Sequence, residues 1–112
     1  MNHDEIVDKL RLELRRGALP LAVLAQLREE HYGYSLRKAL NAKGLDIDEG
    51  TLYPLVRRLE QQGLLTSEWR QDESRKRRYY QRSALGDEVL ERLVAEWRLL
   101  NDSIDVILED AS

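Results

Sequence analysis

The chain has 112 residues, 18 Lys or Arg against 21 Asp or Glu, and 42% hydrophobic content. That length suits one small domain and leaves little for a catalytic domain with a separate regulatory one. The absence of cysteine excludes disulfides, a thiolate metal site and a cysteine nucleophile. No apolar stretch approaches the ~20 residues of a membrane span. Met1-Asn2-His3-Asp4-Glu5 is too acidic for a signal peptide, so a cytoplasmic protein is expected.

The apolar period is helical almost throughout. Ile6, Leu10 and Leu14 predict an amphipathic helix over residues 4–16, with a break at Gly17. Pro20 suits the first turn of a second helix, to about residue 30, with Leu21, Leu24 and Leu27 facing inward. His31-Tyr32-Gly33-Tyr34 reads as a tight connection into a third helix over 34–43. Leu36, Ala39 and Leu40 form its buried stripe, and Gly44 stops it. Asp48 is placed to cap a fourth helix running to residue 62, where Leu52, Leu55, Val56 and Leu59 face inward and Gly63 follows. Short helices with tight turns are the ingredients of a helix-turn-helix unit.

The period then switches to two. Residues 65–70 and 77–81 predict a β-hairpin with its turn at 71–74, aromatic rings on its strands and charge at its tip. Ser83 caps a last helix over about 84–108, roughly 37 Å long. Along it Leu90, Leu93, Trp97, Leu100, Ile104 and Ile107 step by threes and fours, the spacing of a coiled-coil seam. Val89, Val94, Leu99, Val106 and Leu108 widen the seam beyond what one small monomer can bury. A homodimer resolves the excess, with Ile6 and Leu10 of the first helix available to pack on the partner. The expected fold is mainly α with a small β-hairpin (α+β). It divides into residues 1–86, a winged helix-turn-helix with its N-terminal helix, and 84–112, a dimerisation helix.

A net charge of −3 conceals a dipole. Residues 51–82 hold eight Lys or Arg against four acids, a local +4, and the other 80 residues carry −7. Local field decides where a polyanion docks. The helix from Asp48 would present Thr51 and Tyr53 early, with Arg57 and Arg58 one turn on, as a recognition helix does in a major groove. Glu49 opposes that docking, and the plain alternative is a solvated polar face. Arg75-Lys76-Arg77-Arg78, with Arg70 opposite, suits a wing along a phosphate backbone. Asp72 and Glu73 are too few to offset five cations. Of Tyr79 and Tyr80, on opposite strand faces, one should be core. Trp69 reads as a packing residue, as does at least one of Tyr32 and Tyr34. From pattern alone Trp97 reads as dimer core, the alternative being the wall of an apolar ligand cavity.

Signals for catalysis are absent. His3 and His31 lie far apart without a metal-ligand pattern, and no P-loop, G-x-G-x-x-G or G-x-S-x-G occurs. The pairs Glu29/Glu30 and Asp87/Glu88 sit on charged helices as surface residues. No cofactor or metal is expected.

Three segments together resemble one family. His31-Tyr32-Gly33-Tyr34-Ser35-Leu36 is similar to the hGYxL segment of PadR-like transcriptional regulators, and residues 50–65 (GTLYPLVRRLEQQGLL) to their gTLYpxLxrLexxGli core. Arg77-Arg78-Tyr79-Tyr80 with Ser83 and Gly86 resembles the end of their wing. Arg82 and Ser83 depart from the usual Leu and Thr, and Glu49 from a frequent Pro; Arg82 is expected to lose a buried contact.

The resemblance implies a winged helix-turn-helix homodimer on near-palindromic double-stranded DNA, usually a repressor released by a small hydrophobic or aromatic effector. The single C-terminal helix resembles the short subfamily, some of whose members bind planar drugs at the dimer interface, and makes Trp97 a candidate ligand-binding residue. Thr51, Tyr53, Pro54, Arg57 and Arg58 would then meet the major groove, Ser35 and Lys38 adjacent phosphates, and Arg75, Lys76 and Arg77 the wing contact. Dimerisation would fall to Ile6, Leu10, Leu90, Leu93, Val94, Trp97, Leu100, Ile104 and Ile107. The rival readings are a winged-helix module gripping an acidic protein partner and a ligand carrier without DNA affinity.

Overall fold

The chain begins with one long helix where two were expected. In a computed structural model that describes residues 1–111, α1 runs unbroken from His3 to Gln26. Ser112, the last residue of the expected C-terminal unit, lies outside them. Asn2 caps α1 by accepting from the Glu5 N–H at 2.9 Å. Gly17 is helical and open to solvent, and Pro20 sits inside the helix. Gly and Pro each penalise a helix interior, by about 1 and 3 kcal/mol relative to Ala. Tertiary packing outweighs that here, because Leu19, between the two residues, and Val23 and Leu24, just past them, are buried.

His31–Tyr32 forms a short strand, β1, rather than a plain turn. It pairs antiparallel with β3 (Arg75–Arg82), which also pairs with β2 (Leu65–Asp72), in the order β1-β3-β2. Two residues are too few to show a period, so only tertiary pairing defines β1. The hairpin turn is Glu73-Ser74, tighter than expected, with Glu73 in the left-handed region (φ 53°).

Between these strands lie α2 (Gly33–Ala42) and α3 (Glu49–Gln61). Gly44 stops α2 with φ +93°. Asp48 caps α3 through the Thr51 N–H at 2.9 Å, as the sequence requires. That bonding, with the Thr51 side chain foremost, holds the Asp48 carboxyl below its ordinary pKa. Leu52, Leu55, Val56 and Leu59 enter the core beside Leu36, Leu40, Leu24 and Leu27.

The last helix, α4 (Ala84–Ala111), has 28 residues, a span of roughly 42 Å. Ser83 Oγ caps it, accepting from the Gly86 N–H at 3.0 Å and donating to the Gly63 carbonyl at 2.7 Å. Gly86 is where α4 crosses the backbone of the core. A Cβ there would stand 2.2 Å from the Leu64 carbonyl oxygen and 2.7 Å from Arg82 Cγ. Gly86→Ala is expected to cost about 1–3 kcal/mol through backbone displacement. Urea unfolding measures it, and an unchanged midpoint would contradict the packing described.

Arg82, expected to lose a contact, gains several. Its guanidinium donates to the Leu24 carbonyl at 2.7 Å and pairs with Asp87, while its N–H donates to the Leu27 carbonyl. The root of the hairpin is thereby tied to both α1 and α4.

Two apolar faces stay uncovered. On α1 they are Ile6, Val7, Leu10, Leu12 and Leu14; on α4 they are Trp97, Leu99, Leu100, Ile104, Val106, Ile107 and Leu108. Leu90 and Leu93, read as seam, are half-buried against the chain's own core, so the open part of α4 starts beyond them. No described helix is long and apolar enough to cross a membrane.

Candidate nucleic-acid interface

On α3 Thr51, Pro54, Arg57 and Arg58 are exposed and Tyr53 is half-buried. At 100° per residue they fall on one solvent face opposite the Leu52/Leu55/Val56/Leu59 stripe. Its two flanks look different ways. Tyr53 and Arg57 turn toward the hairpin, while Thr51, Pro54 and Arg58 adjoin Arg16 and Pro20 of α1. The Tyr53 ring lies where a Cβ on Gly33 would be, 2.8 Å away, so Gly33 lets α2 start against α3. Burial raises the Tyr53 pKa, keeping the phenol neutral and able to donate. The guanidinium groups of Arg57 and Arg58 make no hydrogen bond or ion pair among the described residues.

Glu49 is less of an obstacle than the sequence suggests. Arg37 of α2 reaches it at 3.3 Å and offsets its charge at the start of α3. Lys38 is exposed, its ammonium 5.4 Å above the Tyr34 ring. Ser35 is differently placed from a free phosphate donor. Its hydroxyl accepts from the Tyr32 N–H at 3.1 Å and donates to the Tyr32 carbonyl at 3.0 Å.

Ser35 also meets His31 Nδ1 at 3.0 Å, and His31 Nε2 lies 3.1 Å from Gln26 Nε2. Gln26 Oε1 already accepts from Lys43 at 2.6 Å, so its amide N–H donates to Nε2 and the imidazole proton sits on Nδ1. Protonating Nε2 would set two donors against each other. Burial accordingly lowers the His31 pKa, with Glu29 opposing and Lys43 adding to the effect. Because the folded value lies below the unfolded one, the unfolded chain binds the proton first. Stability is full above the ordinary imidazole value of about 6.5 and declines as pH falls below it. His31→Gln is expected to flatten that part of the pH–Tm profile; a profile identical to wild type would contradict the burial.

The hairpin distributes its cations. Arg75 and Lys76, at the tip, are exposed and unpaired among the described residues. Arg77 stacks 4.4 Å over Tyr32 and lies 3.7 Å from Asp72. Arg78 binds Glu60 of α3 at 2.9 Å and Ser67 Oγ at 2.9 Å. Arg70 is held by Glu30 and Glu68, whose hydrogen bonds raise its pKa. Counting only Asp72 and Glu73 understated the neutralisation, since Glu30 and Glu60 come from elsewhere in the chain. What remains free is the tip, which is where a wing meets a backbone.

The aromatic residues divide similarly. Tyr80 packs on the core, while Tyr79 donates to Asp72 and meets Tyr32 edge-on at 5.5 Å. That hydrogen bond to Asp72 is the main reason the Tyr79 pKa is raised. Trp69 is 62% exposed and does not pack as expected. Along β2 burial falls from Leu65 through half-buried Ser67 to exposed Trp69, which has the Arg78 guanidinium 5.7 Å from its ring. Trp97 is half-exposed on the open face of α4. Among the described residues no cluster of His, Asp or Glu could hold a metal ion.

This arrangement has close relatives. The model of the transcriptional regulator PadR-like family matches residues 21–92. The crystal structure of a PadR family transcriptional regulator from Eggerthella lenta DSM 2243 is 50% identical, covers 96% of each chain and superposes with a TM-score of 0.91. A PadR-like transcription factor from "bacteroid fragilis" is 32% identical over 88% of this chain and 98% of its own, with a TM-score of 0.74. Transcriptional regulator Rv3488 of Mycobacterium tuberculosis is 39% identical over 75 residues, 66% of this chain and 70% of its own. The fold is therefore a PadR winged helix, four helices with a small three-stranded antiparallel sheet, and its family is one of regulators rather than enzymes. The chain belongs to the PadR-like family of transcriptional regulators.

Proposed function

We propose that the chain acts as a homodimeric repressor on near-palindromic duplex DNA, with α3 in the major groove and the β2–β3 hairpin as its wing. The observation that carries this reading is that Arg57 and Arg58 on α3 and Arg75 and Lys76 at the hairpin tip are exposed, their side chains without a hydrogen bond or ion pair among the described residues. Thr51, Tyr53 and Pro54 read base edges or the adjacent backbone, Lys38 takes a neighbouring phosphate, and Ser35 supports the start of α2 beside it. Residues 1–86 form the DNA-binding unit and the helix from 84 onward the dimerisation unit.

Dimerisation covers the open faces of α4 and of the first half of α1, using Ile6, Leu10, Val94, Trp97, Leu100, Ile104 and Ile107, with Leu90 and Leu93 at the inner edge. Half-sites then lie about 34 Å apart, one helical turn, or a small multiple of it. A small hydrophobic effector seated against Trp97 changes the angle between the two α4 helices and so the spacing of the recognition helices. Such a switch needs differential affinity for the two states of only a few kcal/mol.

The test is fluorescence anisotropy of labelled duplex from the gene's own upstream region, titrated at several salt concentrations. Tight binding that falls steeply with salt is expected. No binding at low salt, to that duplex or to a random pool, would sink the reading and favour the docking of an acidic protein.

A further inference from the structure

Between α3 and the wing lies a cleft of about 430 Å³ that the docking of a duplex does not by itself explain. Its walls are aromatic: Tyr34 from the start of α2, Tyr53 from α3, and Tyr32, Trp69 and Tyr80 from the sheet. Arg57, Arg77 and Arg78 supply its charge, and no acidic residue lines it. That size falls in the usual range of small-molecule sites, about 300–1,000 Å³.

The chemistry of the walls selects the occupant. Tyr34 and Trp69 are 48% and 62% exposed; Tyr34 stacks beside Tyr32 at 6.5 Å between centroids and has Lys38 5.4 Å from its ring. Arg78 lies 5.7 Å from both the Trp69 and Tyr80 rings, and Arg77 lies 4.4 Å over Tyr32. Both guanidinia are partly committed, Arg78 to Glu60 and Arg77 to Asp72. Arg57 has no such partner and stands beside the rings. A flat π-system can stack between these rings, and an anionic group attached to it can take the free Arg57 fork. A neutral ring would leave that guanidinium unanswered, and a bare anion would leave the rings wet.

We propose that this cleft binds a small planar aromatic anion, a flat ring carrying a phosphate- or sulfonate-type group, and that its occupation excludes duplex DNA. The exclusion rests on the DNA-binding reading above, because Tyr53, Arg57 and Arg77 serve both ligands; the binding itself does not. Regulation through this cleft is direct competition on the DNA-facing surface, separate from the α4 face where Trp97 lies.

The two tryptophans separate the two locations. In the ¹⁵N-labelled full chain each indole N–H gives one resonance, assigned with Trp69→Phe and Trp97→Phe. Adenosine monophosphate and naphthalene-2-sulfonate are the probes, with adenosine and inorganic phosphate as controls. Saturable movement of the Trp69 resonance by at least one anion is expected, with Trp97 unmoved and both controls weaker. Arg57→Ala, whose fold the same spectrum verifies, is expected to weaken the interaction about tenfold, the loss of one charge-assisted contact. A Trp69 resonance unmoved by either anion, or moved equally by adenosine, would overturn the proposal. Duplex anisotropy at saturating probe is expected to show a raised apparent Kd; an unchanged Kd would overturn the exclusion. Should the chain bind no duplex while Trp69 still titrates, the DNA-binding reading fails and the aromatic-anion site stands.

Discussion

Replacing Trp97 and Ile104 together by Asp is expected to give a folded monomer that has lost most of its affinity for a palindromic duplex. Both side chains are about half-exposed in the single chain, so the core around Leu24, Leu36 and Leu52 does not depend on them. In a paired α4 seam the same substitutions would bury carboxylates without partners, which costs several kcal/mol for each ion. A dimer gains from binding its second half-site intramolecularly, an advantage of about 10²–10⁴-fold that a monomer forfeits. Analytical ultracentrifugation reads the mass, far-UV circular dichroism the fold, and anisotropy the affinity. A folded monomer with wild-type affinity would remove the dimer from the mechanism. A variant that stays dimeric would move the interface off the outer half of α4.

The features legible in the sequence were those written within a few residues. Asp48, three residues before Thr51, and the Leu52/Leu55/Val56/Leu59 spacing are enough to place α3 and its cap. Ser83 and the apolar period after it do the same for α4. The failures share a cause, which is that distant contacts overrode local signals. Gly17 and Pro20 read as punctuation, yet the face that continues past them packs into the core and keeps α1 whole. β1 exists only because His31 and Tyr32 find Tyr80 and Tyr79, nearly fifty residues on.

The electrostatics of the wing were similarly hidden. Arg70 and Arg78 look like members of one basic cluster, but Glu30 reaches Arg70 from the turn after α1 and Glu60 reaches Arg78 from α3, which adjacency does not reveal. Trp69 is exposed for a tertiary reason too, since it lines an open cleft beside Tyr53 and Arg57 of α3. Charge counting along the sequence does not separate the paired cations of this region from the unpaired ones. Within residues 51–82 the fold leaves four cations whose side chains have no hydrogen bond or ion pair among the described residues, Arg57, Arg58, Arg75 and Lys76, with exposed Lys38 on α2.

That narrowing makes the second large effect specific. Arg75→Glu/Lys76→Glu is expected to weaken duplex binding about 10²–10³-fold at low salt, since a dimer loses four cations of roughly 0.5–1 kcal/mol each and gains repulsion. The slope of log K against log salt should fall by about one unit for each phosphate contact removed, so by up to about four for the dimer. Arg70→Gln provides the contrast. Its guanidinium is already held by Glu30 and Glu68, so its removal should leave the salt slope nearly intact while loosening the turn after α1. Fold should survive the tip substitutions, because Arg75 and Lys76 are exposed and make no contact that the hairpin needs beyond its backbone ladder. A double Glu variant with an unchanged slope would mean that the wing tip does not touch the backbone and that α3 carries the charge alone. A collapse of the slope in Arg70→Gln would instead place the contact at the middle of the wing, where the pairing with Glu30 would have to open on binding.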